Sequence, residues 1–525
     1  MPKLTGNGRR AIVNWDIPDE APMHVKSALF SLSLLAASAC LAAQGAPPAA
    51  SFPASATAPT SASPPADLNA QPAPPTAKPP VSTSRTFTTF TFSKDYNAGQ
   101  KDANGQLMAG TETMRLLSHD GKLFAGLDAW MDTPYTQRPA DKSPWTGPQV
   151  LLKASAAAPW RVDISFSNAV RMESMVAATF TIDASGQKLA SPATLVLASP
   201  SARNITAWTR DDATAKWTEI VVVPGARGGI RSFCTHTDKV TGRQYLFGGA
   251  TTNAAVPNGS IYRAAYDPAA PGKLRWDTDP ELTGTGRIMC FAEADGVLYA
   301  AGGIKDETPL SGGLFRRLDG EKPRWELVWR WPHLIKDQGD ETIILRGLTP
   351  IPDPQSGKHQ VLLGTCDYPG VVYRIDPSRD FAVTTELDIR AYFAKSFGVP
   401  KLTGPCLSAY NNFLPATDPD TGERVHLLGV WINHPQRRTA EKGAGAWYLV
   451  RHGDGTYADG CVFDLKDPRP NPPRGLLAVR TIELSPFPED HGRAFYFGGY
   501  DCASIESHNT AWIYKGELPP PKAKE

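Results

Sequence analysis

An arginine recurs in nearly the same surroundings at Arg115, Arg171, Arg231, Arg287, Arg346 and Arg480. The spacing is about 58 residues until the last interval, a period that signals a repeat architecture. A few residues on comes a small or polar position (Ser118, Ser174, Cys234, Cys290, Thr349, Glu483), then a loop and an apolar stretch ending in glycine. Seven such stretches can be read, ending near Gly126, Val196, Gly249, Gly303, Gly364, Gly429 and Gly499. Beyond them lie aromatic strands around Tyr262, Phe315, Tyr373, Trp447 and Trp512, and outer strands with Trp160, Trp217, Trp276 and Trp325. Four short strands per repeat, without helical periodicity, predict an all-β, seven-bladed β-propeller of four-stranded blades.

The last repeat lacks an outer strand, because only a Pro/Lys tail follows Gly516. The segment Arg85 to Asp95 alternates Thr and Phe at period two, as a half-buried strand does. It is expected to close the ring.

The order arginine, glycine pair, aromatic, tryptophan resembles the Kelch repeat, best in the third repeat (Arg231, Gly248, Gly249, Tyr262, Trp276) and the fourth (Arg287, Gly302, Gly303, Phe315, Trp325). The second repeat has no glycine pair, the sixth has Thr403 in place of arginine, and the fifth lacks the tryptophan. The resemblance implies a fold and no particular activity.

Residues 1–22 lack a targeting pattern and are expected to be untranslated or removed. Met23 opens residues 23–43, which read as a secretion signal: Lys26 precedes an apolar run from Ala28 to Ala39, too short to span a bilayer comfortably. Ala37-Ser38-Ala39-Cys40 fits both an ordinary cleavage site and a lipoprotein signal, so Cys40 is a candidate lipid anchor. Residues 44–84, rich in Pro, Ala and Ser, cannot bury a core and read as a disordered linker. The propeller is expected over 85–518, with a tail at 519–525. These features predict an exported protein that is periplasmic, envelope-anchored or secreted.

A net charge of +1 gives no electrostatic footprint for nucleic acid, and leaves a membrane role only to the Cys40 anchor. No CxxC, CxxCH or HExxH occurs, and no haem, zinc or copper motif is present, so cofactors stay unassigned. Of the remaining cysteines, Cys234 and Cys290 occupy equivalent places and read as buried small residues. Cys366 with Cys406, and Cys461 with Cys502, are the candidate disulfides of an exported chain.

The arginines and the loops after the second strands are expected at one end of the channel. Asp128, Asp367 and Asp501 follow the glycines there and pair on paper with Arg115, Arg346 and Arg480, either as structural salt bridges or as site groups. Arg171, Arg231 and Arg287 have no acid at the matching place. They either pack on backbone or converge as an anion pocket, since guanidinium grips carboxylates in a planar, two-toothed geometry.

The ligand-binding candidates are Arg171, Arg231, Arg287, Arg346, Asp367, Tyr368, Asn411, Tyr500 and Asp501. The catalytic candidates are His236, His434, His508 and Tyr410, because a His or Tyr near an arginine-bound carboxylate could remove the adjacent proton. No metal ligand set is seen. Asn412, Trp431, Asn433, Asn509, Trp130, Asp132 and Tyr135 add sugar-type contacts. The absence of Asp-boxes and of any Tyr-His dipeptide argues against sialidase and Kelch copper-oxidase chemistry. The expected function is recognition of an acidic oligosaccharide or small carboxylate ligand, with cleavage as a lyase or hydrolase. The alternative is a non-catalytic binding or scaffolding propeller.

Overall fold

The structure is a computed structural model describing residues 87, 89–129, 146–252, 258–304, 311–331, 345–366, 370–402, 406, 412–432, 446–462, 478–500 and 509–520. All of these lie in the compact unit Lys78–Glu525.

The fold is an all-β propeller of antiparallel sheets. Sheet I comprises Glu112–His119, Lys122–Asp128, Gln149–Lys153 and Arg161–Ser165; sheet II comprises Arg171–Ile182, Lys188–Ser201, Ile205–Asp211 and Lys216–Val223. Sheet IV (Leu345–Pro352 to Ala382–Asp388) and sheet V (Leu414–Thr417 to Tyr457–Cys461) repeat the plan. Sheet VI starts at Ala478–Leu484 and ends with the N-terminal strand Thr91–Asn97, which pairs antiparallel with Trp512–Glu517. The closing strand is thus found, displaced toward the C-terminal side of the predicted segment.

The expectation of seven separate four-stranded blades is corrected. Among the described residues there are five four-stranded sheets, and the third and fourth repeats form one continuous eight-stranded sheet, III, running from Gly228–Thr237 to Arg324–Arg330. The outer strand of the third repeat is only Leu274–Trp276 and covers Ala264–Tyr266, leaving the start of Gly259–Tyr266 to pair with Leu282–Ala294. Gly259 makes this approach possible: a Cβ there would lie 1.6 Å from the Gly286 carbonyl oxygen.

The glycine pairs have a similar cause. A Cβ at Gly249 would lie 2.6 Å from Ile288 of the next repeat, and one at Gly498 would lie 2.5 Å from Thr113 of sheet I. Second strands therefore pack directly against the neighbouring inner strand.

The outer-strand aromatics form a recurring clamp between successive repeats. Trp160 donates to Asp95 (2.6 Å), Trp217 to Asp163 (2.8 Å), Trp325 to Glu281 (2.9 Å) and the Tyr457 hydroxyl to Glu386 (2.7 Å). Each carboxylate lies on the outer part of the preceding repeat. It also receives a cation from the third strand of the following one: Lys153 at 3.1 Å, Arg210 at 2.8 Å, Arg317 at 2.7 Å and Arg451 at 2.6 Å. Charge-assisted bonds of this kind offset the desolvation of buried ions only when their geometry is good. Here both donors reach one carboxylate.

The Cys366–Cys406 disulfide is not formed, and Cys234, Cys290 and Cys461 also carry thiols. Cys366 packs into one hydrophobic cluster with Leu345 and Leu362, whereas Cys406 packs into another with Phe413 and Leu428. Cys502, the expected partner of Cys461, lies outside the described residues.

Candidate functional site: the arginine end of the channel

Arg115, Arg231, Arg287, Arg346 and Arg480 lie toward the beginnings of inner strands, and Arg171 is the first residue of its own. In each antiparallel pair the second strand ends where the first begins, as Arg171 opposite Ser201 shows. The arginines therefore share one end of the channel with Asp128, Trp431 and Tyr500, which close their second strands.

At this end ion pairs cross between repeats as well as joining neighbours on one strand. Asp128 of sheet I contacts Arg171 of sheet II at 3.2 Å, and Glu173 contacts both Arg171 (3.8 Å) and Arg231 of sheet III (3.6 Å). Arg480 of sheet VI pairs with Glu112 of sheet I. The sequence-based expectation that Arg171 and Arg231 have no acidic partner is corrected. Arg171 takes Asp128 from the preceding second strand and Glu173 from its own strand, and Arg231 takes Glu173 from the preceding inner strand, none of them from the place after their own glycines. Glu112, Asp128, Glu173 and Arg480 are almost fully buried, so this layer is a low-dielectric ion network.

Tyr500 is buried, with the Arg480 guanidinium 5.5 Å from its ring centre and Trp431 edge-on at 5.9 Å. It supports the arginine layer. Arg346 is buried and Arg287 half-buried. Arg115 of sheet I and Arg346 of sheet IV both act on the Cys290 thiol of sheet III, whose pKa burial nevertheless pushes up to about 12.

His236 lies elsewhere. It sits five residues beyond Arg231 near the far end of Gly228–Thr237, and at about 3.3 Å per residue that is about half the strand's length away. Its Nδ1 meets Glu293 at 2.7 Å and its Nε2 meets Asp319 at 3.1 Å, with the ring buried. Burial pulls the imidazole down, but Glu293 and Asp319 outweigh it and raise the pKa. Arg317, itself buried, joins Asp319, Asp238 and Glu281 in the same network. His236 is therefore a hydrogen-bonded tie between the two halves of sheet III, away from the arginine end.

Asp367, Tyr368, Tyr410, Asn411, Asn433, His434, Asp501 and His508 lie outside the described residues, as do Trp130, Asp132 and Tyr135. Among the described residues no group of His, Cys, Asp and Glu is arranged to hold a metal ion. Sequence reasoning passed over Asn168, Ser201, Arg203 and Arg227, which line a small cavity at this end. The available signal was the arginine in each of the connections Ser201-Ala202-Arg203-Asn204 and Gly225-Ala226-Arg227-Gly228.

No protein-family model matches the chain, and no curated protein matches it. Among solved structures it is similar to Sqt1 from Saccharomyces cerevisiae, at 8% identity, covering 83% of this chain and 100% of that one with a TM-score of 0.40. It is also similar to an exo-β-1,3-galactanase from Phanerochaete chrysosporium (8% identity, 83% and 97% covered, TM-score 0.26). A putative exo-β-1,3-galactanase from Bifidobacterium bifidum (12% identity, 56% and 96% covered, TM-score 0.27) is a third. Likeness at this level transfers neither ligand nor activity.

The resemblance to Kelch repeats is corrected. No family model matches the chain, and the described sheets are not seven separate four-stranded blades. The repeated order has local physical causes: arginines for the inter-repeat ion pairs, glycines for close strand approach, and tryptophans for the carboxylate clamps.

Proposed function

We propose that the chain is an exported β-propeller whose arginine end recognises an acidic carbohydrate or similar carboxylate-bearing ligand. The observation that supports this is the placement of arginines from several sheets at one end of the channel, where Asp128, Trp431 and Tyr500 close the second strands. Arg287 and Arg346 lie at the same end, where Arg171, Arg231 and Arg480 are held by Asp128, Glu173 and Glu112. Guanidinium groups held in a water-poor channel bind carboxylate more strongly than in bulk water, and their planar donors select its shape. Export, by residues 23–43 followed by the 44–84 linker and with Cys40 as the candidate anchor, belongs to the same proposal.

Cleavage as a lyase or hydrolase would require an acid or base beside the bound carboxylate. Tyr410, His434 and His508 are the candidates for that role, with Asp367, Tyr368, Asn411 and Asp501 as ligand contacts. His236, tied between Glu293 and Asp319 at the far end of its strand, is left out of the site.

The test is incubation of the full chain with acidic and neutral oligosaccharides, following unsaturated-product absorbance, released reducing ends and binding. Turnover of an acidic sugar alone supports the enzyme. Saturable binding without turnover assigns the scaffolding alternative, and neither binding nor turnover overturns the reading.

A further inference from the structure

A cavity of about 210 Å³ opens at the arginine end of sheet II, lined by Asn168, Val170, Ser201, Ala202, Arg203 and Arg227. Its walls come from three chain connections: the one entering Arg171–Ile182, the one leaving Lys188–Ser201 and the one entering Gly228–Thr237. Backbone hydrogen bonds fix the three together. Val170 donates to Ser201 at 3.0 Å, Ala202 to Gly228 at 3.1 Å and Gly228 back to Ala202 at 3.0 Å. Gly228 is required there, because a Cβ would lie 2.1 Å from the Thr251 carbonyl oxygen.

The base of the cavity is thus rigid, with Ser201 buried, while Arg203, Arg227 and Asn168 are exposed side chains at its rim. None of the lining residues is acidic. The volume far exceeds the roughly 10–15 Å³ that one water requires, and is small enough to take one charged sugar unit and not a folded partner.

We infer that this cavity is an off-axis subsite for the carboxylate of an acidic sugar unit, gripped by Arg203 and Arg227 with Asn168 and Ser201 taking neighbouring hydroxyls. The inference rests on the proposed recognition of an acidic saccharide and deepens it, since the ligand then spans from channel to rim. Selection follows from chemistry: two guanidinium groups attract a uronate and give a neutral sugar no comparable contact. Preorganisation by the pinned backbone keeps the ordering cost low.

The experiment is calorimetric titration of the full chain, wild type and Arg203→Gln/Arg227→Gln, with a hexameric oligogalacturonate and a neutral galactose hexamer, together with melting curves. The double variant should keep the wild type's cooperative melting transition, because both side chains lie exposed at the rim. It should bind the acidic hexamer more weakly by roughly tenfold or more, the scale of lost charged hydrogen bonds. Wild-type binding of the acidic hexamer that survives unchanged in the double variant would overturn the subsite and leave the channel reading standing. A wild type that binds no acidic hexamer would overturn both.

Discussion

The indole N–H of Trp160 donates to Asp95 Oδ2 at 2.6 Å, joining sheet I to the N-terminal strand that completes sheet VI. The two ends of the propeller's chain are therefore locked by the same clamp that joins internal repeats. Lys153 Nζ reaches the other carboxylate oxygen at 3.1 Å, with only 4% of its side chain exposed.

Asp95→Ala should destabilise the protein by about 3 kcal/mol, because it leaves a buried ammonium without its carboxylate. Trp160→Phe removes one hydrogen bond to a charged group and should cost about 2 kcal/mol. Urea unfolding of both variants, and of Asp95→Leu/Lys153→Met, checks this. The double replacement should recover much of the Asp95→Ala loss, and equal losses would argue against the ion pair.

Removing residues 85–97 should abolish cooperative unfolding. Phe90 and Phe92 lie 5.3 and 5.1 Å from the Phe497 ring and pack with Tyr448, so their loss opens a core as well as a sheet edge. Phe90→Ala alone should cost about 3–5 kcal/mol. Scanning calorimetry that shows one unchanged transition in the deletion would refute closure by this strand.

The pKa of His236 is raised above 6.5 in the folded state by Glu293 and Asp319 against the pull of burial. Its contribution is therefore fully present below pH 6.5 and is lost as pH rises through the raised value. Wild-type stability relative to His236→Gln should fall by on the order of 2 kcal/mol across that window. A pH-independent difference in unfolding free energy would contradict the protonated tie.

Glu386 has the opposite sign. Burial raises its carboxyl, but Arg451 and Arg374 hold it below the usual 4.5. Stability from this clamp is present above that value and lost as pH falls through the depressed one. Glu386→Gln should therefore weaken the protein at neutral pH by about 3 kcal/mol, with the penalty shrinking in acid. Acid titration of circular dichroism at fixed urea measures it.

Burial pushes both the Cys234 and the Cys290 thiol up to about 12, so neither should alkylate in the folded protein near neutral pH. Iodoacetamide labelling followed by mass spectrometry should modify them only after denaturation. A reducing agent should leave the melting temperature unchanged for want of a Cys366–Cys406 bridge.

The repeat period made the inner strands legible, and the Thr/Phe alternation near Phe90 revealed the closing strand, because both are local patterns in one chain segment. The positions of Trp160, Trp217 and Trp325 were legible too, but their task was not. The clamp partners lie 65, 54, 44 and 71 residues upstream, and no fixed spacing links donor to acceptor. Fusion of the third and fourth repeats depends on the shortness of Leu274–Trp276, which sequence patterning does not show. The sequence reading expects His236 in a loop at the arginine end, whereas it lies within the strand Gly228–Thr237, five residues beyond Arg231. In a strand, five residues are a long way.

The most direct test of anion recognition is titration of the full chain with an oligogalacturonate and its neutral counterpart at about 50 and 500 mM salt, wild type beside Arg287→Gln. Saturable binding of the acidic ligand alone, weakened by salt and by loss of the Arg287 guanidinium, is the result this account requires. Equal binding of the neutral ligand, or affinity indifferent to both salt and Arg287, would contradict it.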